Sequence, residues 1–209
     1  NNFNTIFIGS GFYRYLIFNI LTCSCLITTL TDIGNNLFKS RFCKKYIYYF
    51  HAMASTHKIY TSTAFDNYDV IFALGKFHTK EIRLREKKFN LKEKKIYEIG
   101  YFYLDYLKKN TDKNRSKDNV ILFAPSWNYN DKNLLNDHAE HIVKELISKN
   151  FKVIFRPHPE NLKKNNKVIK VLEKKYSSEM FILDRSSSNI NSMELSGSLL
   201  TDNSAISLE

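Results

Sequence analysis

In the run RPHP, Arg156 and His158 alternate with Pro157 and Pro159. Residues two apart in an extended segment point the same way, and proline fixes the backbone and forbids helix. Both side chains are therefore held toward one side of the chain. An arginine presents a planar fork to a phosphate, and a histidine donates a hydrogen bond or carries a proton near neutral pH. The alternative is a rigid turn whose side chains are merely solvated. Asp202, Asn203 and Ser204 stand between the apolar end of one segment and the start of a helix near Ala205. Backbone N–H groups at a helix start, with a serine hydroxyl beside them, suit an anion. Asn203 or Ser204 acting only as the helix cap is the commoner arrangement. His51 follows the run YIYYF, with His57 in the segment HAMASTH. At the carboxyl end of a strand, His51 suits a general base that takes a proton from a hydroxyl, or it is an ordinary loop histidine.

Other chemistry is poorly supported. A zinc site at His51 and His57 is opposed because no Cys, Asp or Glu falls between Cys43 and Asp66. Gly9-Ser10-Gly11 follows an apolar triplet but lacks the third glycine of a dinucleotide fingerprint and any Walker lysine. The basic runs Arg83 to Lys95 and Lys163 to Lys175 read as solvated helix faces. Tyr and Phe fall inside apolar runs more often than on basic patches, so a base-stacking platform for nucleic acid is not supported.

These residues need elements to position them, and short apolar runs alternate with amphipathic stretches along most of the chain. Ile6 to Ile8, Tyr46 to Phe50, Val70 to Leu74 and Ile96 to Ile99 read as strands, and Tyr13 to Ile20 and Phe77 to Phe89 as helices. The run Lys108 to Asp118 has no apolar residue and reads as a linker. Beyond it, Val120 to Ala124, Val153 to Phe155, Phe181 to Leu183 and Leu199 to Thr201 read as strands. Two helices separate the first three of them: one over Leu134 to Ile147 capped by Asn133, and one over Leu162 to Lys175. Strand–helix–strand order implies right-handed crossovers and parallel sheets, hence an α/β protein. Domains are expected at 1–110 and 119–209, joined by 111–118, as two Rossmann-like halves facing across a cleft. In parallel sheets ligands bind beyond the carboxyl ends of strands, and Pro125-Ser126-Trp127, the RPHP run and Thr201 to Ser204 all fall at such ends.

Composition narrows the partners. The chain has 209 residues, 43% of them hydrophobic and 14% aromatic, enough for a packed core. With 32 Lys+Arg against 21 Asp+Glu, the formal charge is +11. Such an excess favours a phosphorylated ligand or an anionic membrane surface once nucleic acid is set aside. Cys23, Cys25 and Cys43 are odd in number and lack C-x-x-C spacing, which suits reduced thiols in the cytoplasm. The most apolar stretch, Tyr15 to Leu30, is interrupted by polar residues and falls short of a membrane span. The sequence opens on Asn1 and stops at Glu209 in a segment that reads as structured, so a piece of a longer protein is expected, with an incomplete second domain.

Three segments together resemble the CDP-glycerol glycerophosphotransferase family, enzymes that polymerise teichoic acids and related surface polyol phosphates. They are Tyr48 to Ile82, Ile121 to Trp127 with Val153 to Pro159, and Leu199 to Glu209. The resemblance implies a GT-B-like fold and transfer of glycerol phosphate, or a related alditol phosphate, from a CDP-activated donor to the hydroxyl of a polyol-phosphate or glycan acceptor. It implies no cofactor and no metal beyond the donor itself. It assigns His51 as general base, and His158 with Arg156 to the pyrophosphate and the CMP leaving group. It also assigns Ser126, Asp202 and Ser204 to the donor side. A cytoplasmic enzyme with peripheral contact on the inner face of the plasma membrane is expected. The sequence departs from the family at Gly197, where an Asp is usual, at Asn128, and in the form Thr201-Asp202-Asn203-Ser204-Ala205. These departures bear on substrate identity. Rival readings are a nucleotide-sugar glycosyltransferase or epimerase of capsule or lipopolysaccharide synthesis on the same fold, and a non-catalytic fragment.

Overall fold

The computed structural model describes residues 4–9, 11–31, 33–110, 119–127, 133–164, 166–202 and 204–209. The expected linker at 111–118, and Ser10, Asn128 and Asn203, lie outside the described residues. The chain divides into two compact units, Asn1–Tyr101 and Phe102–Glu209. The boundary differs from the expected 110, because a helix over Phe102–Asn110 groups with the second unit, where the Tyr103 hydroxyl donates to Asn189 Oδ1.

The first unit holds α1 (Phe12–Ile20), β1 (Leu26–Thr28), β2 (Tyr46–Tyr49), β3 (Val70–Ala73), α2 (Lys76–Phe89) and β4 (Lys95–Glu98). Its four strands are all parallel and lie in the order β1-β2-β3-β4. β2 carries the core: Tyr46 and Tyr48 are fully buried, as is Phe50 just beyond it. Tyr48, Phe50, Phe65 and Tyr68 meet largely edge to face at 4.8–5.2 Å between ring centroids. Each such pair adds about 0.5–1.5 kcal/mol beyond area burial.

The apolar triplet Ile6-Phe7-Ile8 is not a strand. Ile6 and Phe7 are 80% and 95% exposed. A strand is stabilised by a neighbour, and the neighbour of β2 is Leu26–Thr28, paired in register Leu26↔Tyr46. The basic run from Arg83 is also less solvated than expected. Glu86, 4% exposed, draws Lys94 to 3.6 Å and Arg83 to 2.5 Å, and the Lys94 N–H donates to it at 2.9 Å.

The second unit holds α3 (Phe102–Asn110), β5 (Val120–Phe123), α4 (Leu134–Ser148), β6 (Lys152–Phe155), α5 (Pro159–Lys163), α6 (Lys167–Tyr176), β7 (Phe181–Leu183), α7 (Ile190–Glu194) and β8 (Ser198–Leu200), followed by a 3-10 turn, Ala205–Leu208. The strand order is β7-β6-β5-β8, again all parallel. Asn133 caps α4 as expected, its side-chain oxygen accepting from Asn136 N at 3.0 Å. Leu135, Ala139 and Val143 from α4 pack with Phe123, Val153, Phe155, Ile169 and Leu172 in a buried core. The helix expected over Leu162 to Lys175 is instead two, because Asn166 starts α6 afresh by accepting from Val168 N at 2.8 Å.

Candidate functional site

Strand register assembles the second unit's rim. Phe123 pairs with Leu200 and Phe155, and Phe155 with Leu183. The residues that follow these strands are therefore set side by side at the carboxyl edge. The chain proceeds from β5 to β6 and β7 on one side, and β8 then lies on the other side of β5. This reversal makes the β5/β8 gap a topological switch point, where open parallel sheets form their ligand crevice.

Ser126 and Asp202 meet across that gap. The Ser126 N–H donates to Asp202 Oδ1 at 2.7 Å, and its hydroxyl to Asp202 Oδ2 at 2.8 Å. Thr201 Oγ1 donates to Ala124 O at 2.6 Å and ties the same two strand ends. A carboxylate is acceptor-only, so Asp202 as placed holds the Ser126 turn and offers no donor to a phosphate. Ser204 donates its N–H to Asp202 O at 2.8 Å and enters the 3-10 turn without capping it through its side chain.

Arg156 leaves β6 with its side chain 13% exposed. Nη1 donates to Asp184 Oδ2 at 2.5 Å and to Ser186 Oγ at 3.1 Å. Asp184, placed beside it by the β6–β7 register, also accepts from the Ser186 hydroxyl at 2.6 Å, from the Ser186 N–H at 2.8 Å and from the Ser192 hydroxyl. Burial would raise the Asp184 pKa, but the hydrogen bonds from Ser186, Ser192 and Arg156 outweigh it, and the carboxyl lies below its ordinary value. The sequence reading singled out Arg156 and missed Asp184. The signal was faint: one acidic residue just after an apolar triplet.

His158 lies two residues beyond Arg156 and is solvent-exposed. Its Nδ1 accepts from Glu160 N at 3.2 Å. In the neutral ring Nε2 therefore carries the proton and can donate it to an anion. The imidazole lies nearly parallel to the Trp127 ring, with centroids 6.3 Å apart. Lys164 Nζ sits 4.9 Å from the Trp127 ring centroid, a cation–π distance.

In the first unit His51 follows β2. Solvent reaches it, yet the protein packed around it lowers its pKa below the ordinary histidine value by desolvation. Its carbonyl accepts from the Tyr101 hydroxyl at 3.2 Å. His57, also exposed, donates its N–H to Ser55 Oγ at 3.3 Å. A cleft of about 480 Å³ beside this loop is lined by Thr56, His57, Tyr60, Arg85, Lys88 and Phe89 among others. Two residues on α2, both within the Tyr48 to Ile82 segment that carries the family resemblance, grip the loop. His78 is fully buried and Glu81 receives three hydrogen bonds from Ser55 and Thr56. Their spacing on one helical face was the available signal. Among the described residues no three His, Cys, Asp or Glu side chains group as a metal site, and no helix is long and apolar enough to cross a membrane.

No curated protein matches the chain. Two solved structures of the wall teichoic acid polymerase TagF are similar. One, a histidine-to-alanine variant, is 18% identical over 88% of this chain and 50% of its own, with a TM-score of 0.48. The other is 22% identical over 81% and 47%, with a TM-score of 0.43. The chain thus spans about half the length of those structures. The family model for CDP-glycerol:poly(glycerophosphate) glycerophosphotransferase matches residues 15–209, nearly the whole chain, and the protein belongs to that family.

Proposed function

We propose that the chain carries the transfer site for an alditol phosphate, glycerol phosphate in the first instance, moved from a CDP-activated donor to an acceptor hydroxyl in cell-surface polymer synthesis. The first unit then serves the acceptor and the second the donor. The observation that carries the reading is the β5/β8 switch point lined by Ser126 and Asp202, with Arg156 and His158 at the next strand end, in a chain of this family.

The chemistry follows from the donors available. The acceptor oxygen attacks the phosphorus that bears the glycerol, the bond from that phosphorus to the CMP oxygen breaks, and CMP leaves. His51 takes the hydroxyl proton, and its lowered pKa keeps it neutral and able to do so at pH 7. His158 Nε2–H donates to the departing phosphate. The Arg156 fork, held by Asp184, adds fixed N–H donors toward spread negative charge. Asp202 positions Ser126 without touching the ligand. Catalysis of this kind is mostly positioning and electrostatics.

Peripheral contact with an anionic membrane surface at the cytoplasmic face belongs to the same proposal and rests on the +11 charge. Sedimentation with phosphatidylglycerol vesicles at low salt is the check, and no binding removes it. Donor choice is tested by thermal shift with CDP-glycerol, CDP-ribitol, a UDP-sugar and a CMP-sugar. The expected result is stabilisation by a CDP-alditol, about 2.7 kcal/mol at a hundred times Kd. Stabilisation by the UDP-sugar alone would replace this reading with a glycosyltransferase.

A further inference from the structure

We propose that His78 and Glu81, one helical turn apart on α2, are the positioning residues of the His51 loop. The inference rests on the reading of His51 as the base.

His78 reaches both flanks of His51. Its ring stacks on Phe50, the residue before His51, with centroids 3.8 Å apart and planes at 24°. Its Nε2 lies 2.9 Å from Ala54 O, three residues after His51. On the other nitrogen, Nδ1 accepts from the Leu74 N–H at 3.3 Å. A nitrogen that accepts carries no proton, so Nε2 holds it and donates to the Ala54 carbonyl. One neutral tautomer is thereby fixed. The desolvation that lowers the His78 pKa keeps the ring neutral, so the clamp does not open near neutral pH.

Glu81 holds the next stretch. Oε1 accepts from Ser55 Oγ at 2.8 Å, and Oε2 accepts from Thr56 N at 2.6 Å and Thr56 Oγ1 at 2.7 Å. Burial would raise its pKa, but these bonds from Thr56 and Ser55, with nearby His57, bring it below the ordinary value. The carboxylate therefore stays charged, and its hydrogen bonds are the stronger charge-assisted kind. The segment from Phe50 to Thr56 is thus tied to a fourteen-residue helix at Phe50, Ala54, Ser55 and Thr56. His51 sits inside that span and is itself an exposed residue. A base in an untied loop would sample many orientations, and a misplacement of about 1 Å costs on the order of 100-fold in rate.

The test compares Glu81→Ala, Glu81→Gln, His78→Phe and His78→Gln in a protein that is folded by circular dichroism, with CDP-glycerol as donor. His78→Phe keeps the stacking and loses the bond to Ala54, and His78→Gln restores a donor. Glu81→Ala and His78→Phe are expected to lower kcat about 10- to 100-fold, leaving the KM for CDP-glycerol within twofold. His78→Gln should recover most of its loss. In a His51→Ala background neither change should cost anything further, because both act through His51. The His51 imidazole resonance should also move in Glu81→Ala and stay near its place in Glu81→Gln, a readout that needs no turnover. Equal losses with and without His51, or an unmoved His51 resonance, would overturn the positioning role. Full activity in His51→Ala alone would instead overturn the base assignment.

Discussion

Among the described residues the two units use four parallel strands each, and their candidate sites are positioned by different means. In the second, strand order reverses at β5, so the ends of β5 and β8 form a topological switch point whatever side chains stand there, and Ser126 and Asp202 join across it. In the first, the order β1-β2-β3-β4 has no reversal. The loop after β2 must be held from outside the sheet, and α2 does so through His78 and Glu81. A site founded on topology tolerates loss of a side-chain tie. A site founded on ties does not.

Substitutions at four residues sharpen or break this contrast, and since two units need not unfold together each is read by a probe within its own unit. Phe50→Ala removes the ring at the centre of the first unit's aromatic core and one face of the His78 clamp. It should cost about 3–5 kcal/mol in urea denaturation and should reduce transfer as well. In the second unit, Asp184→Ala strands Arg156 and should cost about 2–3 kcal/mol, less than a fully buried pair because solvent still reaches both groups.

Asp184 also predicts a pH dependence. Its folded pKa lies below the ordinary 3.8, so its contribution is fully present above about pH 5 and is lost as the pH falls through the lowered folded value. The stability gap between the native protein and Asp184→Asn should be widest near pH 6–7 and should narrow below about pH 4. A gap that widens in acid would contradict the assigned sign.

Smaller effects follow. Asp202→Asn leaves one acceptor for the two Ser126 donors and should cost about 1–2 kcal/mol, with CDP-glycerol still bound in calorimetry because the switch point remains. Complete loss of binding there would break the contrast, showing the second site to be as dependent on ties as the first. Asn133→Ala should cost about 1 kcal/mol of second-unit stability and leave transfer unchanged.

Much of this architecture was legible in the sequence where one residue pattern dictates one element. Val120 to Phe123 and Val153 to Phe155 are apolar triplets or quartets bounded by polar turns, and they are buried parallel strands. Asn133 announced α4. Ile6 to Ile8 misled because strand formation depends on a neighbour, which a local pattern cannot report. The break between α5 and α6 turned on a single asparagine side chain. At the candidate site, Arg156 and His158 stood out because proline spacing is local. Asp184 lies 28 positions from Arg156 and is brought to it by strand register. Asp202 was legible as a polar residue at a strand end, but its two bonds to Ser126, 76 positions away, were not.

The central claim is the proposal that His51 serves the acceptor side and His158 the donor side of the transfer. Steady-state transfer from CDP-glycerol, measured beside calorimetric donor binding, tests it most directly. His51→Ala should lose transfer by more than about 100-fold while binding CDP-glycerol as the native protein does, and His158→Ala should lose transfer with weakened donor binding. Both variants folded and fully active would contradict the account.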